Sequence, residues 1–88
     1  MKSTFFGLLA EFGAAEIRLD DCCDKYFGLN IAQAKRRAAE YSLPVTAYRS
    51  ARSQKAGWLV SAADLAEYLD VQRAEAEKLR ASMQHLRA

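Results

Sequence analysis

Hydrophobic and polar residues alternate along this chain with periods that predict a mainly helical protein containing a few short strands. Residues 4–12 carry apolar side chains every three or four positions, which predicts a first helix that Gly13 ends. The next apolar residues, Ile17 and Leu19, alternate with charged ones and predict a very short strand. The beginning of the chain is thus expected to supply one helix and one strand.

Two short helices joined by a tight connection are predicted next. Asp20 or Asp21 is expected to cap the first, which runs to Phe27, and Asn30 is expected to cap the second. The second helix is predicted over residues 31–41, and its buried face is expected to consist of Ile31, Ala34, Ala38 and Tyr41. Two helices joined by a short turn containing glycine are typical of a helix-turn-helix, whose second helix enters the major groove of DNA.

A β-hairpin with a polar loop is predicted after this helix pair. Pro44 ends the second helix, and residues 45–49 and 58–60 have the composition of strands. The loop between them, residues 50–57, is polar and contains no acid. A strand, loop and strand directly after a helix-turn-helix predict a winged helix, in which the loop, or wing, lies along the DNA backbone or minor groove. The predicted fold class is α+β: mainly α with a small β-hairpin, a winged helix-turn-helix with a long C-terminal helix.

The long C-terminal helix is predicted over residues 61–86, and Ser61 and Asp64 have the spacing of a capping box at its start. At about 1.5 Å per residue it would be longer than a small domain needs to cover its core. We therefore expect residues 1–73 to form a DNA-binding domain and residues 74–88 to extend beyond it. The extension is either a homodimer seam or a solvated tail. A seam is favoured by three large apolar residues, Leu79, Met83 and Leu86.

Basic charge is concentrated in one segment of the chain. Between Gln33 and Val60 there are six basic residues and one acid, Glu40, whereas the remainder has seven bases and ten acids. The six bases are Lys35, Arg36, Arg37, Arg49, Arg52 and Lys55. Such a segment on an otherwise acidic domain is typical of a protein that binds a polyanion, most often nucleic acid. Double-stranded DNA is therefore the expected partner.

The basic residues divide between the second helix of the pair and the hairpin. The candidate DNA contacts in the helix are Gln33, Lys35, Arg36 and Arg37. Arg36 and Arg37, with Gln33 beside them on the outward face, are the expected base readers, because arginine is well suited to guanine in the major groove. The candidate contacts in the hairpin are Arg49, Arg52 and Lys55. Phosphate or minor-groove contacts are expected of the wing.

No arrangement of residues in the sequence indicates an enzyme. Cys22 and Cys23 are adjacent and too few for a disulfide framework or a zinc site, so we expect reduced, buried thiols. His85 has no cysteine, serine or carboxylate spaced to partner it in catalysis. Glycine-rich phosphate loops and calcium loops are also missing from the sequence. We therefore predict a binding protein without catalytic residues, metal or cofactor.

The first apolar stretch is interrupted by Glu11, which makes it shorter than the apolar region of a usual signal peptide. No run approaches the roughly 18 apolar residues of a membrane span. A cytoplasmic, nucleoid-associated protein without a membrane partner is expected.

Several motifs are shared with a known family: Phe5 to Phe12 followed by Gly13, Ile17-Arg-Leu19 leading to Asp21 and Tyr26-Phe27-Gly28, Leu43-Pro44-Val45, Ser53-Gln54-Lys55, and Asp64-Leu-Ala-Glu-Tyr-Leu-Asp70. On these motifs, which cover roughly residues 5–73, the chain resembles the pyocin activator (PrtN-type) family of small regulators in bacterial chromosomes and prophages. The resemblance implies sequence-specific DNA binding and activation of phage-tail-like bacteriocin genes.

By position, the same resemblance implies that Ser53, Gln54 and Lys55 form a shared DNA-contacting loop, although Ser53 and Gln54 could equally shape the turn. The stretch between Gly28 and Leu43 is shorter here than in the typical member and differs in its residues. Because this stretch contains the expected recognition helix, a different operator sequence is expected.

The charge pattern, the predicted elements and the resemblance lead to one expectation. We expect the protein to be a dimeric, sequence-specific transcriptional regulator that activates prophage or bacteriocin-type genes and has RNA polymerase as a further partner. Two alternatives remain open. An excisionase-like architectural factor would assemble in rows on DNA and bend it. A protein-interaction module, such as an antirepressor, would use the same basic patch to bind an acidic partner.

Overall fold

The computed structural model describes residues 2–51 and 57–87 of the 88-residue chain. In chain order these form α1 (Lys2–Phe12), β1 (Glu16–Arg18), α2 (Leu19–Phe27), α3 (Ile31–Ala39), β2 (Ala47–Arg49), β3 (Trp58–Ser61) and α4 (Ala62–Arg87). The described part is mainly helical, with a small antiparallel sheet and a long C-terminal helix, as the sequence predicts.

The sheet brings the beginning of the chain next to the predicted hairpin. Its strands are antiparallel in the order β1-β3-β2, with Ile17 opposite Val60 and Tyr48 opposite Leu59. The pairing of β2 with β3 confirms the hairpin. Because Ile17 and Val60 are both buried, the β1–β3 pair belongs to the core of the fold.

The core is built from all four helices and from two strands. Its buried residues are all apolar: Leu8, Ile17, Leu19, Cys22, Cys23, Ala34, Ala38, Val60, Ala62, Leu65 and Ala66. Full burial of large members such as Leu19 and Leu65 contributes about 1.5–3 kcal/mol each. The core therefore depends on residues from both halves of the chain.

Polar contacts at the edge of this core hold α1 against its neighbours. Thr4 Oγ1 donates a 2.6 Å hydrogen bond to Asp70 Oδ1 on α4. The Tyr26 hydroxyl donates to Glu11 Oε1 at 2.5 Å, and Lys25 Nζ donates to Glu11 Oε2 at 2.9 Å. The hydrogen bond from Tyr26, followed by that from Lys25, lowers the pKa of Glu11. These bonds fix α1 to both α2 and α4.

The two helix starts predicted around the tight connection have different outcomes. Asn30 caps α3 as predicted: its side chain accepts a hydrogen bond from the Gln33 amide, and the Gln33 side chain accepts one from the Asn30 amide. The predicted aspartate cap of α2 is wrong. Arg18 is the N-cap of α2, without a side-chain cap hydrogen bond, and Asp20 and Asp21 lie in the first turn. There their charge still suits the helix dipole.

The predicted buried face of α3 is wrong at both of its ends. The helix ends at Ala39, two residues early, and Tyr41 is 89 % exposed with φ of 56°. The cause is a Schellman motif, in which the Tyr41 amide donates to Ala38 O at 3.2 Å and the Ser42 amide to Arg37 O at 2.9 Å. At the other end, Ile31 in the first turn is 47 % exposed.

The strand predicted over residues 45–49 is shorter than expected. Only Ala47–Arg49 pair with β3, whereas Leu43 and Val45 pack their side chains against the core. The segment between α3 and β2 is therefore an irregular connection that covers part of the core.

The long helix α4 has 26 residues, so it is about 39 Å long. Its first turns carry Ala62, Leu65 and Ala66, which are fully buried, and the Ala63 amide donates to Ser61 Oγ at 3.2 Å. Every residue from Val71 to Leu86 is exposed. The molecule accordingly measures 57 × 26 × 16 Å, because half of α4 protrudes.

Candidate nucleic-acid interface

The outward face of α3 carries the candidate helix contacts predicted from the sequence. Ala34 and Ala38 fix the helix in the core with 0 % and 2 % exposure. Arg36 lies midway between them in sequence and therefore on the opposite side of the helix. Gln33, Lys35, Arg36 and Arg37 are all exposed. The structure thus brings these four side chains to the surface of one helix.

Arg36 and Arg37 occupy the last turn of α3. Among the residues that the structure describes, neither side chain forms an ion pair, hydrogen bond or ring contact with another residue. Their charge is favourable at the C-terminal end of a helix, where the last carbonyl groups face it. Both guanidinium groups are therefore available to a phosphate or a base.

Gln33 has a structural role that the sequence analysis did not assign to it. Its Oε1 accepts a hydrogen bond from the Asn30 amide at 3.2 Å, which completes the capping box of α3. The spacing Asn30-x-x-Gln33 could have indicated this role, because a capping box places its polar pair three residues apart. A contact from Gln33 to DNA would compete with the cap.

Lys35 points toward α2 rather than fully outward. Its Nζ lies 3.9 Å from Asp20 Oδ2, and the Arg18 guanidinium lies 3.9 Å from the same oxygen. Both basic side chains remain more than half exposed, so each pair contributes little to stability. Asp20 partly neutralises this side of α3, and the strongest positive charge is left around Arg36 and Arg37.

Arg49 ends β2, where the chain enters the loop of the hairpin. Its guanidinium lies 4.7 Å from the centre of the Trp58 ring on the paired strand. A guanidinium stacked on an indole keeps its charge and can donate hydrogen bonds in its own plane. The other predicted hairpin contacts, Arg52, Ser53, Gln54 and Lys55, lie outside the described residues.

A groove runs between α4 and the irregular connection from α3 to β2. It has a volume of about 580 Å³, and its lining includes Tyr41, Leu43, Val45, Asp64, Glu67 and Val71. The α4 wall is acidic at Asp64 and Glu67 and apolar at Val71, which is 51 % exposed. Sequence patterns could not reveal this groove, because it depends on how α4 passes a segment that has no regular structure.

The two cysteines are buried, as predicted. Burial, with the neighbouring Cys23 and Asp21, raises the pKa of Cys22 to about 11. Burial and Asp20 also raise the pKa of Cys23. Both side chains therefore remain protonated thiols at neutral pH, in agreement with a packing role. Within the two described ranges, no His, Cys, Asp and Glu side chains are grouped as a metal site.

None of the helices in the described ranges combines the length and apolar character needed to span a bilayer. A family model described as Pyocin activator protein PrtN matches residues 4–76. No curated protein and no solved structure matches the chain.

Proposed function

This chain belongs to the pyocin activator (PrtN) family, and we propose that it is a sequence-specific DNA-binding transcriptional activator of prophage or bacteriocin-type genes. Membership of a family of regulatory activators suggests a role in transcription rather than catalysis. DNA recognition by α3 is the further step that we propose for this chain. In cells, such a regulator acts in the cytoplasm on the nucleoid and works with RNA polymerase.

The exposed pair Arg36 and Arg37 carries this proposal. The pair lies on the second of two short helices joined by a three-residue connection that begins with Gly28, in the order expected of a helix-turn-helix. Its guanidinium groups have no partner among the described residues. In this proposal α3 enters the major groove, and each arginine contacts a guanine or a phosphate.

The hairpin supports the same arrangement from the side of α3. β2 and β3 follow the helix pair directly, and Arg49 at the end of β2 has a stacked, charged guanidinium. We assign the fold as a winged helix with the β2–β3 loop as the wing. Ser53, Gln54 and Lys55 would then contact the DNA backbone or minor groove together with Arg52.

Dimerisation through α4 completes the proposal. Leu79, Met83 and Leu86 are 68 %, 53 % and 76 % exposed, on the part of α4 that leaves the domain. Burying a large apolar side chain contributes about 1.5–3 kcal/mol, so self-association would recover free energy that the monomer forgoes. A two-fold dimer would present two copies of α3 to an inverted-repeat site.

The experiment begins with a genome-wide binding footprint, which supplies a cognate site. Affinities of wild type, Arg36→Ala and Arg37→Ala are then compared on that site and on random DNA. We expect each substitution to weaken cognate binding by about 1–3 kcal/mol, roughly 5- to 150-fold, and to weaken binding to random DNA by a smaller factor, because only the cognate site offers the guanine contact. Arg73→Ala, the same change on exposed α4, is the control and should bind as wild type does.

Three results would contradict this assignment in different ways. Normal cognate binding by both arginine variants would mean that α3 is not the reading helix. Absence of DNA binding at every salt concentration would favour the protein-interaction module. Cooperative footprints over rows of adjacent sites would favour the excisionase-like factor.

A further inference from the structure

The exposed apolar surface of α4 continues into the groove beside it. Tyr68 and Val71 line the groove, and the side chains of Leu79 and Leu86 lie 8 and 15 residues beyond Val71 on the protruding half of the helix. At 3.6 residues per turn, the spacing from Tyr68 to Leu79 to Leu86 keeps these side chains along one side of α4. The groove and the apolar side chains of the protruding half therefore lie on one side of a single helix and form an apolar strip, which Gln72 and Glu75 interrupt between Val71 and Leu79.

Charge along the same helix changes sign from one end to the other. Residues 62–72 contain three acids, Asp64, Glu67 and Asp70, and no base. Residues 78–87 contain three bases, Lys78, Arg80 and Arg87, and no acid. The acidic end faces the groove, through Asp64 and Glu67, and the basic end is the one that protrudes.

One line of side chains along α4 shows this change from acidic to basic charge. Lys78 follows Glu67 by 11 residues and His85 follows it by 18 residues, separations of about three and five whole turns. The three side chains are exposed and lie beside the apolar strip. When a helix pairs with a copy of itself running in the opposite direction, Glu67 and Lys78 of one copy can meet Lys78 and Glu67 of the other, acid against base.

We propose that two copies of this chain pair through antiparallel α4 helices, with the beginning of the protruding half of each copy, around Lys78 and Leu79, seated in the acidic groove of the other. The proposal rests on the dimer in the proposed function and adds its direction and its docking site. Leu79 would contact the apolar wall of the groove in the second copy, and Met83 and Leu86 would lie farther along, beside the start of its α4. Lys78 would lie close to Glu67 across the same interface.

Charge disfavours the parallel alternative. Parallel helices would place the two basic ends side by side, bringing three bases from each copy together without an acid in residues 78–87. Like charges in adjacent positions destabilise helix pairs. The antiparallel pair instead removes both the repulsion and the exposure of the groove.

Tyr41 marks the opposite rim of the groove from α4. Its left-handed backbone conformation, with φ of 56°, is unusual for a bulky residue, and its side chain is 89 % exposed beside Leu43 and Val45. Within a folded monomer this placement buries almost none of the ring. In the antiparallel dimer the ring would cover the helix that occupies the groove.

A charge exchange between two exposed positions tests the direction of the pair. Glu67→Lys places two bases together at the contact with Lys78, and Lys78→Glu places two acids there, so each variant alone should dimerise about tenfold or more weakly. An equimolar mixture should recover wild-type affinity, because both contacts of the mixed dimer are then opposite in sign. Sedimentation velocity across a dilution series measures all three samples.

Glu77→Lys is the matched control. Glu77 precedes Leu86 by nine residues, or two and a half turns, so it lies on the far side of the helix from the strip. This variant should self-associate as wild type does. Thermal unfolding by circular dichroism should show all four proteins folded, since each substituted side chain is exposed.

A distance between two labels provides a test that does not depend on charge. With Lys78 level with Glu67 of the other copy, a spin label at Gln84→Cys should be about 35 Å along the helix axis from its copy in the antiparallel dimer, against roughly 10 Å for parallel helices packed side by side. The native Cys22 and Cys23 are buried and should stay unlabelled.

The possible failures can be separated. Monomeric wild-type protein at tens of micromolar would overturn the dimer and the part of the proposed function that depends on it. The antiparallel arrangement alone would be overturned if the wild-type protein is dimeric but the mixture of the two charge variants does not recover its affinity. The same conclusion would follow if the two spin labels of the dimer lie close together. Tyr41→Gly should weaken association without loss of fold, and unchanged association would remove the groove from the interface.

Discussion

Arg49 stacks on Trp58 across the β2–β3 pair, with its guanidinium carbon 4.7 Å from the centre of the indole ring. The contact closes the strand pair at the point where the chain enters the proposed wing. Trp58 is the only tryptophan in the chain. Its fluorescence therefore reports on this contact and on anything that binds the hairpin.

We predict that Arg49→Ala lowers the free energy of unfolding by about 0.5–1 kcal/mol, the usual contribution of a partly exposed cation–π pair. The emission maximum of Trp58 should move to longer wavelength, because the ring loses its cover. Urea unfolding followed by fluorescence measures both quantities. Arg73→Ala should leave the emission maximum unchanged, and an identical emission spectrum for Arg49→Ala would mean that the stack does not persist in solution.

DNA affinity is expected to depend steeply on salt. If five or six basic side chains neutralise phosphates, the logarithm of the binding constant should fall against the logarithm of salt concentration with a slope near −5. Fluorescence anisotropy of a labelled duplex over a salt series gives this slope. Affinity that stays constant from low to high salt would contradict an electrostatic interface.

The proposed wing should contribute differently from α3. We predict that the double variant of Arg52→Ala and Lys55→Ala weakens cognate and random DNA by similar factors, because interactions with phosphate carry no sequence information. The salt slope should become shallower by about one for each basic side chain that no longer neutralises a phosphate. A weakening confined to one base position in a footprint would instead mean that the wing reads sequence.

Tyr41→Gly is expected to stabilise the domain by about 1 kcal/mol. Glycine adopts the left-handed conformation at no steric cost, and the exposed tyrosine ring gives up almost no packing. Urea unfolding at low protein concentration measures the change apart from association. Glu40→Gly, one residue earlier at φ of −91°, is the control and should stabilise nothing. Destabilisation by Tyr41→Gly would show that the ring makes a contact in the monomer.

Removal of the chain after Arg73 should leave a folded monomer. Residues 74–86 are all exposed, so the core keeps all of its buried side chains. Light scattering should find less than half the mass per particle of a wild-type dimer, because the truncated monomer is also 15 residues shorter, and cognate DNA binding should be much weaker. An unfolded product would show that the protruding half of α4 supports the domain directly.

The features that could be predicted from the sequence depend on residues close together in the chain. Asn30 caps α3 because its partner is three residues away, and the phase of Ala34 and Ala38 correctly places Arg36 outward. The Tyr41 error has a local cause too. Helical phase assigned Tyr41 to the buried face. A Schellman motif ends the helix before it, with Tyr41 in the left-handed position that glycine usually occupies.

The features that could not be predicted depend on contacts between distant segments. Nothing in the alternation around Ile17 identifies Val60 as its partner across the sheet. In the same way, the role of Glu67 as a wall of the groove arises only when α4 lies beside the α3–β2 connection. Membership of the family could be inferred from motifs, whereas the surface that these motifs form depends on how distant segments pack in the folded protein.

The pairing of β1 with β3 also determines how much of the chain must be synthesised before the protein can fold. Ile17 becomes buried only when Val60 pairs opposite it, and Leu8 only when α4 packs against α1. A ribosome adds about 5–20 residues per second. It synthesises the α2–α3 pair first, and the core can form only after Leu65 has also been synthesised. A messenger RNA that ends before the codon for Leu65 would therefore yield an unfolded peptide. Proteases would degrade this peptide, and no partly active regulator would accumulate.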